Sequence, residues 1–140
     1  MKVMVLGKAT ARSEAGELGS AEDFAAMGQY MEKLVEAGVL LAGEGLQPSS
    51  KGKRVAVDAD GNTTVIDGPF AETKELVAGF SIWEVSSMDE AVEWVKRSPV
   101  RDSEVELRKI LDADDFGDAF AAEIAAAEQQ GRAELAAKES

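Results

Sequence analysis

The feature that most constrains the fold is an order of elements that occurs twice in the 140 residues. Residues 2–6 (KVMVL) read as a strand, 20–38 (SAEDFAAMGQYMEKLVEAG) as a helix, and 39–48 (VLLAGEGLQP) as a strand ending in a glycine-rich segment. Residues 76–85 (LVAGFSIWEV), 87–99 (SMDEAVEWVKRSP) and 103–111 (SEVELRKIL) then run strand, helix, strand again. This order predicts an α+β fold, the ferredoxin-like split βαβ protomer, with two helices covering one face of an antiparallel sheet.

Local signals fix the helices. Ser20 is an N-cap with Asp23 at the third helical position. Phe24, Met27, Met31, Leu34 and Val35 recur at helical spacing, and Gly38 suits a left-handed stop. Ser87 with Glu90 repeats the capping pattern, Met88, Ala91, Val92 and Val95 form an inner stripe, and Pro99 marks the end. Residues 8–19 read as loop. Between the two halves, 54–66 (RVAVDADGNTTVI) is an inserted β-hairpin turning at Asp60-Gly61. The segment 112–140 is a tail rich in Ala and Glu. Phe116, Phe120 and Ile124, spaced by four, predict a helix there, weakened toward its end by Gly131. The expected organisation is thus a domain over 1–111 and a helical tail over 112–140.

Strands 2–6 and 76–85 are apolar on both alternating faces. Helices cover one face of such a sheet, and the other should be polar if it meets water. Val3 or Met4, Trp83 and Val85 are expected to leave that second face apolar, so a second copy of the sheet is the expected cover and a homodimer the expected state.

Composition excludes several classes of function. The chain has no His and no Cys, which removes imidazole bases, thiol nucleophiles and the common zinc constellations. No metal and no cofactor is expected. The formal net charge of −12 disfavours nucleic acid and anionic membrane surfaces as partners. No apolar run has the length of a membrane span, and the short run after Met1 reads as a strand rather than a leader, so the expected location is cytoplasmic.

Residues 67–75 (DGPFAETKE) join two strands where a tight turn would suffice. This stretch and the AGF at 78–80 resemble the signature of the YCII-related superfamily, in its DGPF branch. The segments AGVLLAGEGLQPSS (37–50), EAVEWVKRSP (90–99) and VELRKI (105–110) agree with it in order, over roughly residues 1–116. The resemblance implies a dimeric α+β barrel, in which the sheet of one protomer packs on that of its partner. Most DGPF-branch proteins have no established activity, and many are encoded beside extracytoplasmic-function sigma factors. A His-Asp pair proposed to act in the wider superfamily has no counterpart here, because the chain lacks His. Gly45 stands where many members have Arg, and Lys109 where many have Pro.

Two functional classes follow. In the first, the protein binds a small polar organic molecule in a cleft lined by the 67–75 loop, with weak carboxylate-based acid–base chemistry within reach. Asp67 is the candidate catalytic residue, and Glu44, Gln47, Asp67, Phe70 and Lys74 are the candidate ligand contacts. In the second, it is a non-enzymatic regulatory or assembly protein, a partner of an extracytoplasmic-function sigma factor. At Asp67-Gly68-Pro69-Phe70 the competing reading is turn chemistry, with Phe70 as a core plug. At Lys74 it is a solvated charge cluster with Glu72 and Glu75. At Glu44 and Gln47 it is a glycine-flanked bulge. Trp83 and Tyr30 read as core or interface residues.

Overall fold

The computed structural model describes residues 1–139 and divides into two compact units, one ending at Lys109 and one beginning at Ile110. The first unit contains β1 (Lys2–Lys8), α1 (Ala11–Glu14), α2 (Ala21–Glu36), β2 (Leu40–Gly45), β3 (Lys53–Val57), β4 (Thr63–Asp67), β5 (Val77–Glu84), α3 (Met88–Lys96) and β6 (Val105–Lys109). Four strands form an antiparallel sheet in the order β2-β5-β1-β6. Each β–α–β half contributes one central and one edge strand, so the halves interleave. The two central strands, β1 and β5, are the ones whose sequences are apolar on both faces. Strands β3 and β4 form a separate two-stranded ribbon.

The caps act as their sequence suggests. The Ser20 hydroxyl accepts the Asp23 N–H, and the Ser20 N–H donates back to the Asp23 carboxylate, both at 3.1 Å. Two orphan donors of α2 are thereby satisfied. Gly38 follows with φ 72°, the left-handed stop. Ser87 caps α3 by accepting the Glu90 N–H at 3.1 Å, but the Glu90 carboxylate takes the Ser86 N–H instead of closing the box on Ser87. The expected loop over 8–19 contains the one-turn helix α1, capped reciprocally by Thr10 and Ser13. The Thr-x-x-Ser spacing was the available signal.

The core lies between the sheet and the helices. Val3, Val5, Trp83 and Val85 from the strands meet Tyr30 and Leu34 of α2, Val39, and Ala91 of α3. Val3 and Leu34 are fully buried, the situation in which truncating Leu to Ala costs about 2–5 kcal/mol. The inner stripe of α2 runs through Met27, Tyr30, Met31 and Leu34, while Phe24 and Val35 are exposed. On α3, Ala91 is buried and Val92 lies at the exposed edge of the stripe.

The pairing register corrects one expectation. Trp83 stands opposite Val3 and shares the helix-covered face with it and with Val85, so neither Trp83 nor Val85 contributes to the open face. The open face is formed instead by Met4 opposite Ile82 and Leu6 opposite Phe80, all half-buried. Lys2, Glu84 and Arg108 lie at its border. A sheet face with this many apolar side chains differs from the polar alternation that water selects.

The second unit is described by itself. Asp112 caps a 3-10 turn over Ala113–Phe116. Gly117, with φ 82°, ends that turn before α4 (Asp118–Glu139) begins. Phe116 therefore precedes the helix, and the expected Phe116–Phe120–Ile124 stripe loses its first member. The helix continues through Gly131. Among the described residues no helix is long and apolar enough to cross a membrane.

Candidate functional site

Glycines occupy matching ladder positions on three strands. Gly79 of β5 pairs with Gly7 of β1 on one side and with Gly45 of β2 on the other, and Gly43 pairs with Ser81 one rung along. The row lies on the face that carries Val5, Ser81 and Trp83, the one covered by the helices. Where three neighbouring strands lack side chains, space between sheet and helices is left unfilled; a β-carbon on Gly45 would meet nothing within 4 Å. The result is an open cleft of about 480 Å³. Met27, Tyr30 and Met31 of α2 wall it on one side and Val95, Ser98 and Val100 on the other, with Val105, Leu40 and Trp83 completing the lining.

The cleft is apolar with a few polar groups, a composition typical of small-molecule sites of about 300–1,000 Å³. Tyr30 and Glu44 are the ionisable side chains among its lining residues. The Tyr30 hydroxyl donates to the Trp94 carbonyl at 2.6 Å, and burial pushes its pKa up to about 12. Ser81 and Ser98, both buried, bring hydroxyls to the lining. Glu44 is among the lining residues and stands opposite Phe80, the register at which strand alternation turns a side chain to the open face of the sheet.

The 67–75 connection is built as a clasp. The Glu14 carboxylate accepts both the Ser49 N–H and the Ser49 hydroxyl, and the Ser49 hydroxyl oxygen accepts the Phe70 N–H at 3.1 Å. The Ser49 hydroxyl and N–H hold the Glu14 carboxyl below its ordinary pKa. The Gly68 N–H donates to the Gly52 carbonyl at 3.0 Å. The Phe70 ring lies under the Arg54 guanidinium, 3.9 Å from ring centroid to carbon. One loop, one helical turn and the base of the ribbon are thus tied to a single serine.

The five candidate contacts are dispersed by this arrangement. Asp67 ends β4, where it pairs with Lys53 across the ribbon; both side chains are exposed, and Asp67 lines none of the hollows described here. Gln47 and Phe70 border a hollow of about 490 Å³ with Glu14 and Arg54. Lys74, in the 3-10 turn Thr73–Glu75, borders another with Lys8, Thr10 and Asp102. Glu44 alone reaches the glycine-floored cleft. No residue of the 67–75 loop lines the cleft between sheet and helices; Phe70 and Glu75 line the hollow with Gln47, and Thr73 and Lys74 the other. Asp67 lies at the base of the ribbon, in the pair farthest from the Asp60-Gly61 turn, and its side chain is exposed beside Lys53. The residues that sequence reasoning passed over are Gly7 and Gly79. Their signal was glycine inside otherwise β-branched and aromatic strands.

The sequence profile described as a YCII-related domain matches residues 1–114. An uncharacterized protein of Rhizobium meliloti (strain 1021) is 42% identical over 64 residues, which are 46% of this chain and 51% of that protein. The chain thus matches about half the length of this curated relative. Among solved structures, a 5-chloro-2-hydroxyhydroquinone dehydrochlorinase from Burkholderia phenoliruptrix AC1100, in complex with 2,5-dihydroxybenzoquinone, is similar with a TM-score of 0.46 and 18% identity. The similarity covers 80% of this chain and 95% of that one.

Proposed function

The chain belongs to the YCII-related domain family, and we propose that it binds a small organic molecule in the cleft between its sheet and its helices. The observation that carries this reading is the glycine row, which leaves about 480 Å³ open beside an otherwise closed core. A core without a ligand to hold is ordinarily packed to the density of an organic crystal. The Tyr30 phenol, its pKa raised further above neutrality by burial, is already engaged with the Trp94 carbonyl. The cleft is accordingly a holding site more than a proton-transfer site. A fragment screen by proton–nitrogen NMR tests the reading. Ligands should shift the amides of Gly43, Gly79 and Ser81 together with Tyr30 and Val95. A screen whose hits map only to the open sheet face or to the ribbon would remove it.

We also propose that a second copy of the chain covers the open sheet face, giving a dimeric α+β barrel. Support comes from the half-buried Met4, Leu6, Phe80 and Ile82, which form one continuous apolar surface on the two central strands. Water on that surface is the less favourable partner. The Asp67-Gly68-Pro69-Phe70 sequence places the chain, in this proposal, in the DGPF branch of the family.

A further inference from the structure

We infer that the ligand of this cleft is uncharged and lies flat against bare strand backbone at Gly45, Gly79 and Gly7. The inference rests on the small-molecule reading above and adds the ligand's chemical class. Glycine inside a strand weakens it, through chain entropy and a missing side chain. Such a glycine usually has a local explanation, and for Gly79 there is one: a β-carbon there would come within 3.1 Å of the Glu44 carbonyl oxygen. Gly7 borders the β-bulge between Gly7 and Lys8, and Gly45 has no such explanation. Neither adopts a left-handed φ. A β-carbon on Gly45 would meet nothing within 4 Å, and one on Gly7 only the Gly79 carbonyl oxygen at an ordinary 3.7 Å. Alanine would fit both places and would favour both strands. What the two glycines supply is the absence of side chains beside Gly79, across three adjacent strands.

Three strands spaced about 4.8 Å apart present a strip roughly 10 Å across. That is the width of one or two fused rings lying on peptide planes. Charge is excluded by the surroundings. No Lys, Arg or Asp lines the cleft, and the Glu44 carboxylate belongs by register to the opposite face. An ion entering here would lose its water with no counter-charge to replace it. Met27 and Met31, above the strip, have flexible side chains that adapt to a flat apolar guest.

The test uses 2-naphthol and 2-naphthoate, which share one ring system and differ in charge, titrated into the full chain and into Gly45→Val. Amide shifts at Gly7, Gly45 and Gly79 report binding, and thermal melts report stability. In the wild-type protein 2-naphthol should shift these amides, and 2-naphthoate should bind roughly tenfold more weakly or not at all. Gly45→Val should weaken 2-naphthol at least about tenfold while its melting temperature stays level or rises. Equal binding of the two probes would overturn the uncharged class. Unchanged 2-naphthol affinity in Gly45→Val, or a loss of stability that Gly45→Ala shares, would overturn the role of the glycine strip. If neither probe shifts any amide of the cleft, the small-molecule reading falls and this inference falls with it.

Discussion

The backbone carbonyl of Ser49 fills the place that a β-carbon on Gly68 would need. The second residue of the DGPF stretch is therefore held against the 49–52 turn with no room for any side chain. The contact is backbone against backbone, so it cannot be relieved by a rotamer change. Gly68→Ala should destabilise the protein by at least about 2 kcal/mol, the scale of overpacking without an escape route. Urea denaturation measures it. A loss below about 0.5 kcal/mol would mean that the loop rearranges freely and that the clasp is not structural.

The same clasp predicts an acid-sensitive stability. Glu14 has its folded-state pKa lowered by the Ser49 hydroxyl and N–H, from a reference value of 4.5. Its contribution is fully present above that reference value and is lost as pH falls through the folded-state value. Glu14→Gln should therefore flatten the acid side of the stability–pH curve, with the difference from wild type shrinking as the pH drops. Parallel curves for the two proteins between about pH 5 and pH 3 would contradict it.

Asp67→Asn should alter stability by less than about 0.5 kcal/mol, because its pair with Lys53 is exposed on both sides. Binding of any cleft ligand should be unchanged, since Asp67 does not line the cleft. A sharp drop in ligand affinity in this variant would reinstate Asp67 as a site residue.

Phe70 is half-buried, so Phe70→Ala should cost less than the full core penalty of about 3–5 kcal/mol. Part of that loss belongs to the stacked Arg54. A double-mutant cycle with Arg54→Ala should give a coupling of about 0.5–1 kcal/mol. Strict additivity would show that the stacking contributes nothing.

Tyr30, the only tyrosine, should ionise at about 12 instead of the reference 10.0 in a spectrophotometric titration. The folded state holds this proton more tightly than the unfolded chain does. Stability should thus be unaffected by this group below pH 10.0 and fall as the pH rises above it. An unshifted titration would place the hydroxyl in water and break the Trp94 contact.

Phe80→Glu should convert the proposed dimer to a monomer in light scattering at micromolar concentration. A dimer of this kind buries over about 1,200 Å² in total, and a carboxylate at position 80 would stand opposite Glu44 on the same face. A stable folded monomer in the wild-type protein would refute the dimer directly.

The sequence by itself determined the elements and their order. Ser20 with Asp23, Gly38 with its positive φ, the Asp60-Gly61 turn and the two-faced strands around Val5 and Ser81 are local matters, decided by residues within one turn or one rung of each other. The YCII-related membership was legible for the same reason, since it rests on segments read in order along the chain. The tertiary structure decided which face of each strand is covered and which residues meet. Alternation gave two apolar faces to the strand at 76–85, and only the register of Trp83 on Val3 assigned one of them to the helices. Asp67 stood in the most conspicuous motif, yet the register of the separate ribbon set it against Lys53, with both side chains exposed. Gly7, Gly45 and Gly79 are dozens of residues apart, and nothing local marks them as neighbours. The cleft exists because hydrogen-bond ladders between distant strands brought those three absences of side chain into one row.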